Sequence, residues 1–193
     1  MKRRRFDGFV PIHRQETLRM YALNLDRVIP RIKPAIPVSH VVQQTPVQID
    51  TIAASTQEQR VAKGDRIVVA FIKQRPVAYL FAATSATWVG EVEDWLTIPP
   101  REVYLYDAYT AAKYRGQHIY PFLMAVAAQY FKRRGYRFVL IFTTAENMGS
   151  MRGIERCGFE CYETVDYRNF LGLKSWHYRK GDRHVAARLS NEN

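Results

Sequence analysis

Apolar residues change their spacing along the chain, and each change predicts an element. "VSHVVQQ" (38–44) alternates and reads as a strand. "PVQIDTIAASTQEQRVAKG" (46–64) has helical spacing and ends at Gly64. "RIVVAFIKQRPVAYLFAATSATWVG" (66–90) reads as two strands with a turn near "KQRP", and "VEDWLTIPPRE" as a connection closed by two prolines. The aromatic and β-branched run "EVYLYDAYT" (102–110) is a strand. Pro121 suits the first turn of a helix, "FLMAVAAQYFKRRG" supplies its body, and Gly135 its stop. "YRFVLIFTT" (136–144) is apolar throughout, as a buried parallel strand is. A short helix over about 148–157 stops at Gly158. "FECYETVDY" and "LKSWHYRK" close the chain as two strands joined near Gly172. Residues 1–36, broken by Pro11, Pro30 and Pro34, read as an irregular basic arm, and 37–193 as one domain.

A strand–helix–strand crossover of this length favours a parallel pair. The predicted fold class is therefore α/β or α+β with a mixed sheet. The 193 residues suffice for one core, and the 47% hydrophobic content excludes a disordered tail. No apolar run reaches the roughly 20 residues of a membrane span. "MKRRR" is followed by "FDGFVPIHRQE", which has no apolar signal region, so a cytoplasmic protein is expected. Cys157 and Cys161 are the two cysteines; in extended chain they stand about 13 Å apart, too far for a disulfide. Two thiols do not make a zinc site, so no metal is expected.

The net charge of +11 sits at the ends. Residues 1–33 carry +6, residues 168–188 carry +5, and residues 34–167 only +1. Contact with nucleic acid or another anionic surface would run through those ends. No nucleic-acid-binding signature accompanies the charge, and a solvated basic surface is the plainer account.

Chemistry concentrates at "TAAKYRGQHIY" (110–120), between the end of a strand and the start of a helix. Backbone N–H groups there lack helical partners, and the helix dipole makes the place positive. Such a turn binds phosphate. Arg115 adds a charged donor, and Gly116 allows close backbone approach. An ordinary strand-to-helix turn is the competing account.

With "NMGSMRGIERCGF" (147–159) following at the right distance, this loop resembles that of the GNAT superfamily of acyl-CoA-dependent N-acetyltransferases. The resemblance covers about 65–185 and is strong over 102–160. It implies a mostly antiparallel mixed sheet whose two central parallel strands splay apart, with flanking helices. It implies that Tyr109 and Thr110 offer backbone groups to the pantetheine arm of acetyl-CoA. Arg115, Gly116, Gln117, His118, Ile119 and Tyr120 would surround its diphosphate, and Asn147 and Ser150 belong to the second cofactor segment. Helix capping is the other account of Asn147. His118 stands where the family's pattern has glycine, and Tyr120 where it has glycine or alanine. The tyrosine that serves many relatives as acid falls here on Ile154.

Acyl transfer needs a neutral amine, an N–H donor for the developing oxyanion, and an outlet for the thiolate. Strand parity puts Glu102, Tyr104, Tyr106 and Ala108 on one face and Val103, Leu105, Asp107 and Tyr109 on the other. Glu102 and Tyr104 are the expected proton handlers, with Asp107 the rival if the facing is reversed; Glu91 and Glu93 are further candidates to line the acceptor site. The expected activity is acetyl transfer from acetyl-CoA to a primary amine of a small molecule or amino sugar. A non-catalytic module that binds acyl-CoA or a partner is the alternative. A homodimer is compatible with either.

Overall fold

A computed structural model describes residues 13–181 and 187–191, without the side chain of Lys180. β1 (His13–Asn24) and β2 (Ser39–Gln43) precede helix α1 (Ala54–Ala62). β3 (Arg66–Ile72) and β4 (Arg75–Ala83) form a hairpin, as do the short β5 (Thr87–Val89) and β6 (Asp94–Thr97). β7 (Glu102–Thr110), helix α2 (Ile119–Lys132), β8 (Phe138–Thr144) and helix α3 (Met148–Arg156) follow. β9 (Glu160–Phe170), β10 (Leu173–Lys180) and β11 (Arg188–Leu189) complete the order.

Eight strands make one sheet in the order β10-β9-β1-β8-β7-β4-β3-β2, and β11-β6-β5 make a smaller one. All pairs in the large sheet are antiparallel except β7 with β8. The mixed, mostly antiparallel α+β architecture expected from the sequence is the one observed.

The helix α2 carries Ile119, Leu123, Met124, Ala127, Ala128 and Phe131 on its buried side. That stripe has helical period and packs on Val103, Leu105, Val139 and Ile141 of the central strands. On the opposite face Leu18, Met20, Tyr104, Leu140, Val165 and Tyr167 form a second cluster beneath the small sheet. The central strands are buried on both faces, which is why their sequences run apolar without alternation.

Residues 13–24 depart from the expected irregular arm. They form β1, wedged between β8 and β9. Dense charge at Arg14, Glu16 and Arg19 hides a strand whose buried residues are Leu18, Met20, Tyr21 and Leu23. A register shift between Met20 and Tyr21 puts Leu18 and Met20 in one cluster and Tyr21 and Leu23 in the other. After β1, Ile29, Ile32 and Ile36 lean on the α2 side of the core. Residues 1–12 lie outside the described residues. The expected connection at 92–102 also contains a strand, β6.

Candidate active site

β7 pairs with β8 only from Glu102↔Phe138 to Leu105↔Ile141. Beyond that point β7 stays bonded to β4 through Tyr106, Tyr109 and Thr110. β8 stays bonded to β1 as far as Thr144. The facing edges of 106–110 and 142–144 are thus parted. Between Phe81↔Tyr106 and Tyr79↔Tyr109, β7 has one residue more than β4. The extra residue makes a bulge at Asp107, whose φ is +45°.

The bulge corrects the parity expectation. Tyr109 does not share a face with Val103 and Leu105. It stacks on Tyr79 at 5.7 Å and packs with Tyr106 against Phe81. One inserted residue reverses every side chain after it.

The turn beyond the parted strands has the character expected of it. A short 3-10 turn spans Ala112–Tyr114. Among backbone carbonyls of the described residues, none takes the N–H of Gly116, Gln117 or His118. Ile119 and Tyr120 open α2, and Pro121 has no N–H to leave unmade. Gly116 has φ +77°, and a Cβ there would meet nothing within 4 Å. The space above the loop backbone is open. Ala35 donates its N–H to Gln117 O at 2.9 Å and fixes the loop from outside, while Arg115 Nε reaches back to Thr110 O at 3.1 Å. A row of unpaired amides at a helix start beside an open strand edge fits a diphosphate joined to an extended amide-bearing arm.

His118, in the glycine's place, holds the left-handed conformation at φ +57° as the residue before α2. Arg156 of α3 donates to its Nε2. Tyr120 leans across to α3, its hydroxyl 3.1 Å from Ser150 Oγ. Burial pushes Tyr120 up to about 12, so it stays protonated at neutral pH. Gly153 makes room for that ring: a Cβ there would stand 2.9 Å from Tyr120 Cδ1. Asn147 caps α3, its Oδ1 accepting from Ser150 N at 3.1 Å. The capping account of Asn147 is the contact observed. Ile154 is fully buried in the core.

The three expected proton handlers do not come together. Glu102 lies at the start of β7, in the zipped part, and accepts from Ala187 N at 2.9 Å. Four residues of strand, about 13 Å, separate it from the parting point. It ties down the C-terminal segment. Tyr104 is buried against Phe142, with ring centroids 4.6 Å apart, and burial, then Glu91, raises its hydroxyl well above the ordinary value. Only Asp107 sits where the strands separate, exposed at the bulge and ion-paired to Arg60 of α1.

Sequence reasoning missed the residues around Asp107. The Arg60 guanidinium lies 4.4 Å from the ring centre of Phe81 and 5.0 Å from that of Tyr106. The Tyr106 hydroxyl donates to Asp65, the first residue after the helix stop at Gly64. Burial raises Asp65, and this bond partly offsets the rise; burial also raises Tyr106, followed by the Asp65 bond. The signal was the parity of Tyr106, which shares a face with Tyr104. Its partner, about forty positions away, has no such signal.

Glu91 and Glu93 lie between β5 and β6. Glu93 accepts from the Tyr167 hydroxyl at 2.8 Å and pairs with Arg14 at 3.1 Å and Lys174 at 2.8 Å. Lys174 first, then Tyr167, holds its carboxyl below the ordinary range. The group is a fixed anion that fastens the β5–β6 loop to β1, β9 and β10. Cys157 and Cys161 are both unpaired thiols, as expected.

A model of the Acetyltransferase (GNAT) family matches residues 39–159. The chain belongs to the GNAT family. The match takes in the parted strands, the amide turn and α3, and leaves out β1, β9 and β10. An uncharacterised N-acetyltransferase of Methanocaldococcus jannaschii is 30% identical over 102 residues, 52% of this chain and 42% of that protein. The alignment thus spans less than half of the curated relative. Among solved structures, a GCN5-related N-acetyltransferase from Sphaerobacter thermophilus superposes with a TM-score of 0.56 at 13% identity, over 87% of this chain and 53% of that one. A tandem GNAT protein of the clavulanic acid biosynthesis pathway gives 0.53 at 14% identity, over 83% and 55%. At such identities these two likenesses show the fold alone.

Proposed function

We propose that this GNAT protein transfers the acetyl group of acetyl-CoA to the primary amine of a small molecule or amino sugar. One observation carries the reading: the central strands part after Leu105, and the parted edge runs directly into a turn of unpaired amides.

Tyr109 and Thr110 present backbone groups along the open edge, and the amides from Gly116 to Tyr120 receive the phosphates. Acetyl-CoA, when bound, supplies the activated acyl carbon. The acceptor nitrogen attacks that carbon; a C–N bond forms, the C–S bond breaks, and the sulfur leaves as thiolate. Asp107 takes the proton the nitrogen gives up, after Arg60 swings off its carboxylate. No tyrosine stands at position 154 to protonate the sulfur, and a thiol's ordinary value near 8.5 lets it leave unaided. Glu102 is left to structure.

Calorimetric titration with acetyl-CoA and a free-thiol assay across an amine panel test this. Binding with amine-dependent thiol release is expected. Binding without release across a broad panel would leave a non-catalytic acyl-CoA-binding module, and no binding would remove the assignment of the turn.

A further inference from the structure

The β9–β10 hairpin ends in an apolar tip that no local rule asks for. Phe170, Leu171 and Leu173 are 54%, 66% and 77% exposed. Leu171 and Gly172 turn the chain at φ +51° and +87°. Such a two-residue turn favours Asn, Asp or Gly at both central places, because they tolerate positive φ. Leucine there is strained, and it puts an apolar side chain into water. Folding gains nothing from either.

The tip stands in cationic surroundings. Cross-strand register sets His13 and Leu173 on either side of Phe170, all on one face, with the exposed Arg168 two residues along β9 on that face. Arg14 and Lys174 flank the tip on the other face, where both reach Glu93. The His13 ring packs edge-on to Phe170 at 6.3 Å. Lys2, Arg3, Arg4 and Arg5 therefore join the fold at this corner. Arg5 is eight residues before His13, which keeps it within about 29 Å of the tip. The two basic ends of the sequence meet here because β1 pairs with β9 and β9 with β10.

We propose that this corner docks on an anionic lipid surface, with Phe170, Leu171 and Leu173 entering the headgroup layer. Exposed apolar residues within a basic rim bind such interfaces through burial and charge together. The tip is a narrow protrusion of three side chains, whereas a stable protein interface takes on the order of 800 Å² from each partner. The inference does not depend on acetyl transfer.

The test is co-sedimentation of the full chain with vesicles of phosphatidylcholine alone or mixed with phosphatidylglycerol. Binding is expected to the mixture alone and to weaken with added salt. The variant Phe170→Ser, Leu171→Asn, Leu173→Ser should bind at least about tenfold more weakly. Leu171→Asn alone should raise the melting temperature, because asparagine relieves the turn, while weakening vesicle binding. That opposite movement separates docking from loss of fold. Absent binding to the mixture, or equal binding by the triple variant, overturns the proposal. So does a fall in oligomeric mass in the triple variant, which would make the tip an interface between copies.

Discussion

Asp107 is the residue on which the chemistry turns. The bulge gives it a left-handed backbone and puts it at the parting of the strands. Asp107→Asn should lower the amine-dependent kcat/KM by about a hundredfold or more with acetyl-CoA affinity unchanged, as read by thiol release and calorimetry. Asp65 governs a pH effect. Its folded-state carboxyl is raised, so between the ordinary value near 4 and the folded value the folded chain binds more protons than the unfolded one. Stability then falls as pH rises through that window. Asp65→Asn should flatten the slope between about pH 4 and 7 in urea denaturation. Tyr106→Phe removes the donor to a buried carboxylate and should cost about 1–3 kcal/mol at neutral pH. Gly153 gives a prediction whose sign reverses. Alanine is favoured over glycine in a helix by about 1 kcal/mol. Here it meets the Tyr120 ring, and overpacking costs about 1–3 kcal/mol. Gly153→Ala should lower the melting temperature in the native chain and raise it beside Tyr120→Ala.

At the scale of elements, the turn before α2 is held by its own backbone and by Ala35. Gly116 is left-handed with open space around it, so its two roles come apart. Gly116→Ala and Gly116→Val share the backbone cost, about 1–2 kcal/mol. Valine adds bulk where phosphates would approach. Calorimetry should therefore show acetyl-CoA affinity falling about tenfold or more with valine and less with alanine, at similar melting temperatures. Equal affinity in the native chain and the valine variant would refute the assignment of this turn.

At the scale of the whole molecule, β1 joins the two halves of the sheet. It separates β8 from β9 and buries Leu18, Met20, Tyr21 and Leu23. A chain that begins at Pro37 keeps everything the family model matches and loses this strand. It should show no cooperative thermal transition by circular dichroism, because the strands on either side would each expose an unpaired edge and both clusters would open. The same strand carries the N-terminal charge to the C-terminal hairpin, so the electrostatics of the two ends belong to one surface.

The order of strands and helices from 38 onward follows from local pattern: apolar runs at 66–83 and 136–144, helical spacing after Pro121, and glycine stops at 64, 135 and 158. The amide turn was legible for the same reason, since strand, glycine, proline and helix lie within a dozen residues. Asp107's facing, the Tyr106–Asp65 bond and the Arg60 ion pair were not, because they arise from a one-residue bulge and from contacts across α1, β3 and β7. Nor was β1, whose charged first half is tolerated at the sheet's end and whose second half is apolar only in relation to neighbours more than a hundred residues away. Sequence by itself determined the elements and the phosphate-binding character of one turn, because hydrogen bonding and side-chain period are local. Tertiary structure decided where the strands part, which carboxylate stands there and which ends of the chain meet, because each depends on pairing between segments with no common local signal.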